Sequence, residues 1–226
     1  MKVLFVTDSL GLPRPDRKVL ASETWCYLVA NKLQTIGNSF QCFFQQIGGL
    51  QTKQLLLHSR EGYLAGFDTD IILLQVGIVD CSPRVLPERL RNIIAMIPVV
   101  RGIVRTIIRN NHKWLSTKID RSYISLTAYE KNLKEFKEIF GDVTIFALPI
   151  APANRGYKEH TPLIERNIRE YNKILKKVFG SNYFEDLYED VDIEDIYLDD
   201  NHHLNAYGHR SIAERLFQKI KKLPTA

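Results

Sequence analysis

The run Asp70-Ile71-Ile72-Leu73-Leu74-Gln75-Val76, closed by Gly77, narrows the fold more than any other stretch of the chain. Apolar residues at consecutive positions place bulk on both faces of a strand. Such a strand needs cover on both sides, which a parallel sheet flanked by helices provides. Similar short runs recur. Val3-Leu4-Phe5-Val6 leads into Thr7-Asp8-Ser9, Gln41 to Ile47 ends at Gly48-Gly49, Val143 to Leu148 ends at Pro149, and residues 183–188 supply a fifth candidate. Helical spacing fills the intervals: 20–36 (closed by Gly37-Asn38), 51–64, 123–140 (closed by Gly141), 162–179 (Thr161 as N-cap, Pro162 in first position) and 205–222. This alternation predicts a three-layer α/β/α sandwich around a five-stranded parallel sheet. In such sheets the working residues lie beyond the C-terminal strand ends.

At 226 residues the chain is long enough for one substantial core and is read as a single domain, 1–226. The three cysteines, Cys26, Cys42 and Cys81, have neither the even count of a disulfide framework nor a C-x-x-C metal pair. With an N-terminal apolar run too short for a signal peptide, they suggest a reducing, cytoplasmic setting. The net charge of +5 permits an acidic partner, but no nucleic-acid recognition motif accompanies it.

Residues 84–121 interrupt the rhythm. They carry Arg84, Arg89, Arg91, Arg101, Arg105, Arg109, Lys113, Lys118 and Arg121 against Glu88 and Asp120, interleaved with Ile, Val and Met. This predicts a basic helical insertion after the third strand. Four roles fit it: a docked helical pair, a lid, a protein-contact surface, or a surface meeting an anionic membrane.

The chemistry-bearing residues sit at the strand ends and near the C-terminus. Ser9 follows the first strand, and Asp200-Asn201-His202-His203-Leu204-Asn205-Ala206-Tyr207-Gly208-His209 lies close to the end of the chain. A serine hydroxyl needs a base to become a nucleophile, a histidine titrates in the right range, and a carboxylate holds the ring in one tautomer. Thr7-Asp8-Ser9-Leu10 resembles the block that names the SGNH (GDSL-type) hydrolases, and Asp200-x-x-His203-Leu-Asn-x-x-Gly-His resembles their last block. The order of blocks spans Ser9 to His209. Asp199-x-x-His202 has the same spacing as Asp200-x-x-His203, but Leu204-Asn205 sets the register of the resemblance on His203. His209 reads as a helix-associated structural residue and Asp8 as a turn residue.

The resemblance implies a flavodoxin-like sandwich and an acyl-ester hydrolase that needs no metal or cofactor. Ser9 would be nucleophile, His203 base and Asp200 its orienting acid, with the backbone of Gly49 or Gly48 helping to hold the oxyanion. The third block departs from the pattern. Gly-x-Asn-Asp is expected, and Gly77-Ile78-Val79-Asp80 stands there, so an oxyanion donor is missing. Arg84, Arg14 and Arg155 (beside Asn154) follow strand ends. Arg84 or Arg14 is a candidate to replace that donor; alternatively, the arginines bind a carboxylate or phosphate on the substrate. The run Gly77 to Arg84 also resembles a subgroup associated with bacterial surface-polysaccharide synthesis, which implies a small-molecule or glycan acyl ester such as a sugar O-acetyl group. Two further readings stay open at this point: acyl transfer to a sugar hydroxyl by the same residues, and a non-catalytic binding or scaffold protein on this fold. The oligomeric state is not legible.

Overall fold

In a computed structural model, residues 1–36 and 40–221 are described, so the Gly37-Asn38 helix stop lies outside the described residues. Four parallel strands, β1 (Lys2–Thr7), β2 (Gln41–Gln46), β3 (Ile71–Gln75) and β4 (Thr144–Ala147), form one sheet in the order β2-β1-β3-β4. The helices are α1 (Trp25–Ile36), α2 (Thr52–Arg60), the single turn α3 (Ile78–Cys81), α4 (Glu88–Ala95), α5 (Pro98–Ile119), α6 (Leu126–Phe140), α7 (Arg155–His160), α8 (Ile164–Phe179) and α9 (Ala206–Ile220).

The alternation of strand side chains divides the core in two. Leu4, Val6, Ile72, Leu74, Ile145 and Ala147 face one side and pack under α2, α6 and α8. Val3, Phe5, Ile71, Leu73 and Phe146 face the other, under α1 and α9. Successive strand residues point to opposite faces, so runs with no polar member fill both layers at once. Trp25, at the start of α1, is wholly buried, and its indole N–H donates to Gln75 Oε1 at 3.1 Å.

The sheet has four strands rather than the expected five. Tyr183 forms only an isolated parallel bridge with Ala147, and Phe184 N–H donates to the Ala147 carbonyl at 3.0 Å. Phe184 and Leu187 do enter the core, but local bonds from Glu185 N–H to Tyr183 O and from Leu187 N–H to Phe184 O curl the backbone into turns. Three helix starts also move: α6 begins at Leu126, with Ser125 as its cap. α1 begins at Trp25, after a 3₁₀ turn over Ala21–Glu23, and α8 begins at Ile164, whose N–H donates to the carbonyl, not the side chain, of Thr161. Residues 84–121 fold as the predicted helical insertion, the α4–α5 arm.

Strand register places the site. Thr7, the last residue of β1, pairs with Gln46 and with Gln75, the last residues of β2 and β3. The segments leaving those strands, Asp8-Ser9, Ile47-Gly48-Gly49 and Val76-Gly77-Ile78, therefore emerge side by side along one edge.

Candidate active site

Ser9 opens a short 3₁₀ turn directly after β1. Asp8 caps that turn, its Oδ1 accepting from Leu10 N–H at 2.9 Å. Asp8 is buried, and burial pushes its carboxyl up to about 7 despite that hydrogen bond. It is a structural member of the turn, with Oδ2 left unpartnered.

After β2 the chain turns through Gly48 and Gly49, where Gly49 takes φ +76°, a left-handed conformation that glycine adopts without steric cost. The N–H groups of Ser9, Gly48 and Gly49 donate to no protein group among the described residues. After β3, Gly77 (φ +124°) leaves no room for a side chain, since a Cβ there would lie 2.5 Å from the Tyr129 hydroxyl. The turn α3 that follows carries Val79 to the cavity wall and Asp80 inward. Asp80 accepts from both the N–H and the hydroxyl of Thr52, so it caps α2, and burial raises its carboxyl to about 6.

The candidate base comes from the loop before α9. His203 Nδ1 lies 2.8 Å from Asp200 Oδ2, while Asp200 Oδ1 accepts from the N–H groups of His202 (2.8 Å) and His203 (2.9 Å). Partial burial opposes ionisation of Asp200, but the hydrogen bonds from His203 and His202 outweigh it and hold the carboxyl at about 2. An ionised carboxylate can only accept. Nδ1 therefore carries a proton, and the neutral form of the ring has its lone pair on Nε2. Asp199, the competing acid, forms an ion pair with Arg17 instead. His202 points its Nδ1 at the Asp200 carbonyl and lays its ring against Tyr157, centroids 4.0 Å apart. His209 is a structural residue: its Nδ1 accepts from Trp25 N–H, and burial lowers its pKa to about 4.

One cavity of about 460 Å³ is lined by Ser9, Gly48, Gly49, Val79, Arg84, His202 and His203, with Ser82, Arg91, Tyr123 and Tyr157 among its other walls. Among the described residues no hydrogen bond joins Ser9 Oγ to His203. Contacts of this kind often tighten only when substrate is bound. Arg84 lies over the Tyr123 ring at 4.6 Å and Arg91 at 5.1 Å, so two guanidiniums share one aromatic plate at the wall.

Three residues expected on the oxyanion or substrate side do not line this cavity. Asn154 caps α7, accepting from Tyr157 N–H and donating to Asn201. Arg155, with its side chain 82% exposed, pairs with Glu159 one turn along the same helix. Arg14 is held in a tight loop by two backbone bonds with Val19. Tyr157 takes the place that Arg155 was expected to fill. Two residues along a helix is a rotation of about 200°, so the tyrosine faces the cavity when the arginine faces water. Its hydroxyl meets Ser82 Oγ at 3.0 Å. Among the described residues no group of three His, Cys, Asp or Glu side chains is placed to hold a metal ion.

No protein-family model and no curated protein sequence matches the chain. Solved structures do. A lipase/acylhydrolase from Enterococcus faecalis superposes with a TM-score of 0.68 at 15% identity, over 100% of this chain and 99% of that one. TesA superposes with a TM-score of 0.65 at 14% identity, over 98% of each chain. The fold is that of the SGNH hydrolases. A third SGNH-fold neighbour, the acetylxylan esterase Axe2 of Geobacillus stearothermophilus, has a TM-score of 0.62 at 16% identity, over 97% of this chain and 93% of that one. Structures of Axe2 include catalytic mutants in which a serine, an aspartate and a histidine are each replaced by alanine, the aspartate and histidine spaced as Asp200 and His203 are here.

Proposed function

We propose that this SGNH-fold chain is a serine ester hydrolase acting on acyl esters, with O-acetyl groups on sugars that also carry an anionic group as its substrate class. The observation that carries the reading is the Asp200–His203 pair facing Ser9 across one cavity, with the N–H groups of Ser9, Gly48 and Gly49 unspent beside it.

In this reading Ser9 Oγ attacks the acyl carbon as His203 Nε2 takes its proton. Asp200 stabilises the imidazolium that forms. The carbonyl oxygen becomes an oxyanion and accepts from the N–H groups of Ser9 and Gly49. The tetrahedral intermediate collapses, His203 returns the proton to the leaving alcohol, and the acyl group remains on Ser9. Water then enters, gives its proton to His203 and attacks the acyl-enzyme, which releases the acid and restores Ser9.

Arg84 and Arg91, held over Tyr123, outnumber the one acid at that wall, Glu88, which lies 3.9 Å from Arg91, and leave a net positive charge suited to a carboxylate or phosphate on the substrate. The experiment compares an uncharged aryl acetate with an O-acetylated sugar acid, in wild type and in Arg84→Met. The reading expects both to be hydrolysed, with Arg84→Met raising KM roughly tenfold or more for the anionic ester alone. Hydrolysis of neither ester would remove the reading. Equal effects on both would remove the anionic specificity.

A further inference from the structure

The α4–α5 arm holds all of the chain's net positive charge. Residues 84–121 carry nine Lys and Arg against two acids, leaving twenty-two bases against twenty-four acids elsewhere. On α5, Arg101, Arg105 and Arg109 recur every fourth residue and share one face, the inner one. They line a groove of about 490 Å³ together with Val104 and Ile108 of the same helix and Arg91 and Ile94 of α4. Among the described residues no acid lines this groove.

Elsewhere on the surface arginines meet carboxylates: Arg17 with Asp199, Arg60 with Glu135, Arg155 with Glu159, Arg166 with Asp120. The guanidinium groups of Arg101, Arg105 and Arg109 have no partner among the described residues. Like charges four residues apart on a helix oppose one another, so an anion seated in the groove would relieve that repulsion. The spacing describes the anion. Arg101 and Arg109 are about 12 Å apart along the helix axis, more than one carboxylate or phosphate spans. Anionic groups repeated along a chain match the column, and a single one does not.

The groove is tied to the catalytic cavity in two ways. Arg91 lines both. His112 of α5, also in the groove wall, stacks its ring on His160 at the end of α7, centroids 4.5 Å apart, and its Nδ1 lies 3.2 Å from the His160 carbonyl oxygen. α7 is the helix that carries Tyr157 into the catalytic cavity.

We propose that this groove is a subsite for an acidic oligosaccharide, whose successive carboxylates or phosphates meet Arg101, Arg105 and Arg109 while its acylated sugar sits at Ser9. This subsite rests on the ester-hydrolase reading above and extends it from one charged sugar to a chain of them. Ile94, Val104 and Ile108 give the chain an apolar wall to lie against. A nucleic acid fits the lining less well, because bases stack on aromatic plates and the groove wall offers no Phe, Tyr or Trp.

The test is titration calorimetry with probes that carry no ester, so binding is read without turnover. The probes are tetragalacturonate, maltotetraose phosphorylated on its primary hydroxyls, the corresponding monomers, and neutral maltotetraose. At least one acidic tetramer should bind tighter than its monomer by roughly tenfold or more, and weaken with salt. The two acidic probes tell carboxylate from phosphate, and neutral maltotetraose should not bind. Replacing Arg101, Arg105 and Arg109 together by Gln should weaken the tetramer by roughly tenfold or more, with the unfolding midpoint unchanged. Lys at the same three positions keeps the charge and should retain most of the binding. Neither acidic tetramer exceeding its monomer, maltotetraose binding equally well, or binding unchanged in the Gln variant would each overturn the subsite. So would a single-stranded oligonucleotide that binds more tightly through the same arginines. Tetramers that bind while no ester is hydrolysed would support the groove and remove the role of Ser9. An aryl acetate hydrolysed while no tetramer binds would do the reverse.

Discussion

The two halves of the site are built to different standards. On the proton-handling side the Asp200–His203 pair is fixed: Asp200 takes three hydrogen bonds from the loop it belongs to, and Asp199 is drawn away by Arg17. On the oxyanion side the backbone donors of Ser9, Gly48 and Gly49 are present, but Val79 stands at the wall where a side-chain donor is expected. Base and nucleophile decide whether chemistry occurs at all, whereas each oxyanion donor scales its rate. On the proposed reading, the proton-handling groups are complete and the oxyanion side is the half that differs.

The largest effect should come from the proton-handling half. Ser9→Ala or His203→Ala should lower kcat by on the order of 10⁶, read by steady-state ester hydrolysis with the unfolding midpoint nearly unchanged. Asp200→Asn should cost about 10⁴, because an amide oriented by the same loop no longer enforces the Nδ1–H tautomer. Asp199→Asn should leave the rate within about twofold, since it removes only an exposed ion pair. Equal losses in the two aspartate variants would erase the distinction between them.

The oxyanion half should respond in the opposite direction. Val79→Asn should raise kcat, by up to about 10², if the cavity wall at that point faces the developing charge. No gain would mean that another group already serves there.

The smallest effect is on stability and comes from Asp8. Burial raises its folded-state carboxyl to about 7, above the unfolded value near 4, so the folded chain holds that proton longer. The stabilisation is complete below the unfolded value and is lost as pH rises through about 7. Asp80 adds a parallel loss through about 6. His209 acts oppositely, losing stability as pH falls from its unfolded value near 6.5 toward about 4. Above about pH 6.5 the slope is therefore due mainly to Asp8. The wild-type Tm should fall by a few degrees between about pH 6.5 and about pH 8, and Asp8→Asn should flatten that slope. Parallel profiles would contradict the assignment.

Much of this was legible in the residues. Short stretches of consecutive apolar residues announced β1, β3 and β4, and the three-residue step from Asp200 to His203 announced a locally built acid–base pair. What escaped the sequence depended on tertiary geometry. The fifth strand failed because Tyr183 to Glu189 satisfies its backbone locally, in turns, while still burying Phe184 and Leu187. The expectation for Arg155 failed because the Asn154 cap sets the helical phase, and that phase turns the arginine to water. Arg84 and Arg91 meet over Tyr123, a residue of another loop, and no spacing rule brings those three together.

The proposed chemistry requires Ser9 to be an activated nucleophile. Incubation with a fluorophosphonate, followed by peptide mass spectrometry, measures this directly. A single phosphonyl adduct on Ser9, absent in Ser9→Ala and strongly slowed in His203→Ala, is the predicted result. An unlabelled wild-type protein, or an adduct on any other residue that persists in Ser9→Ala, would contradict it.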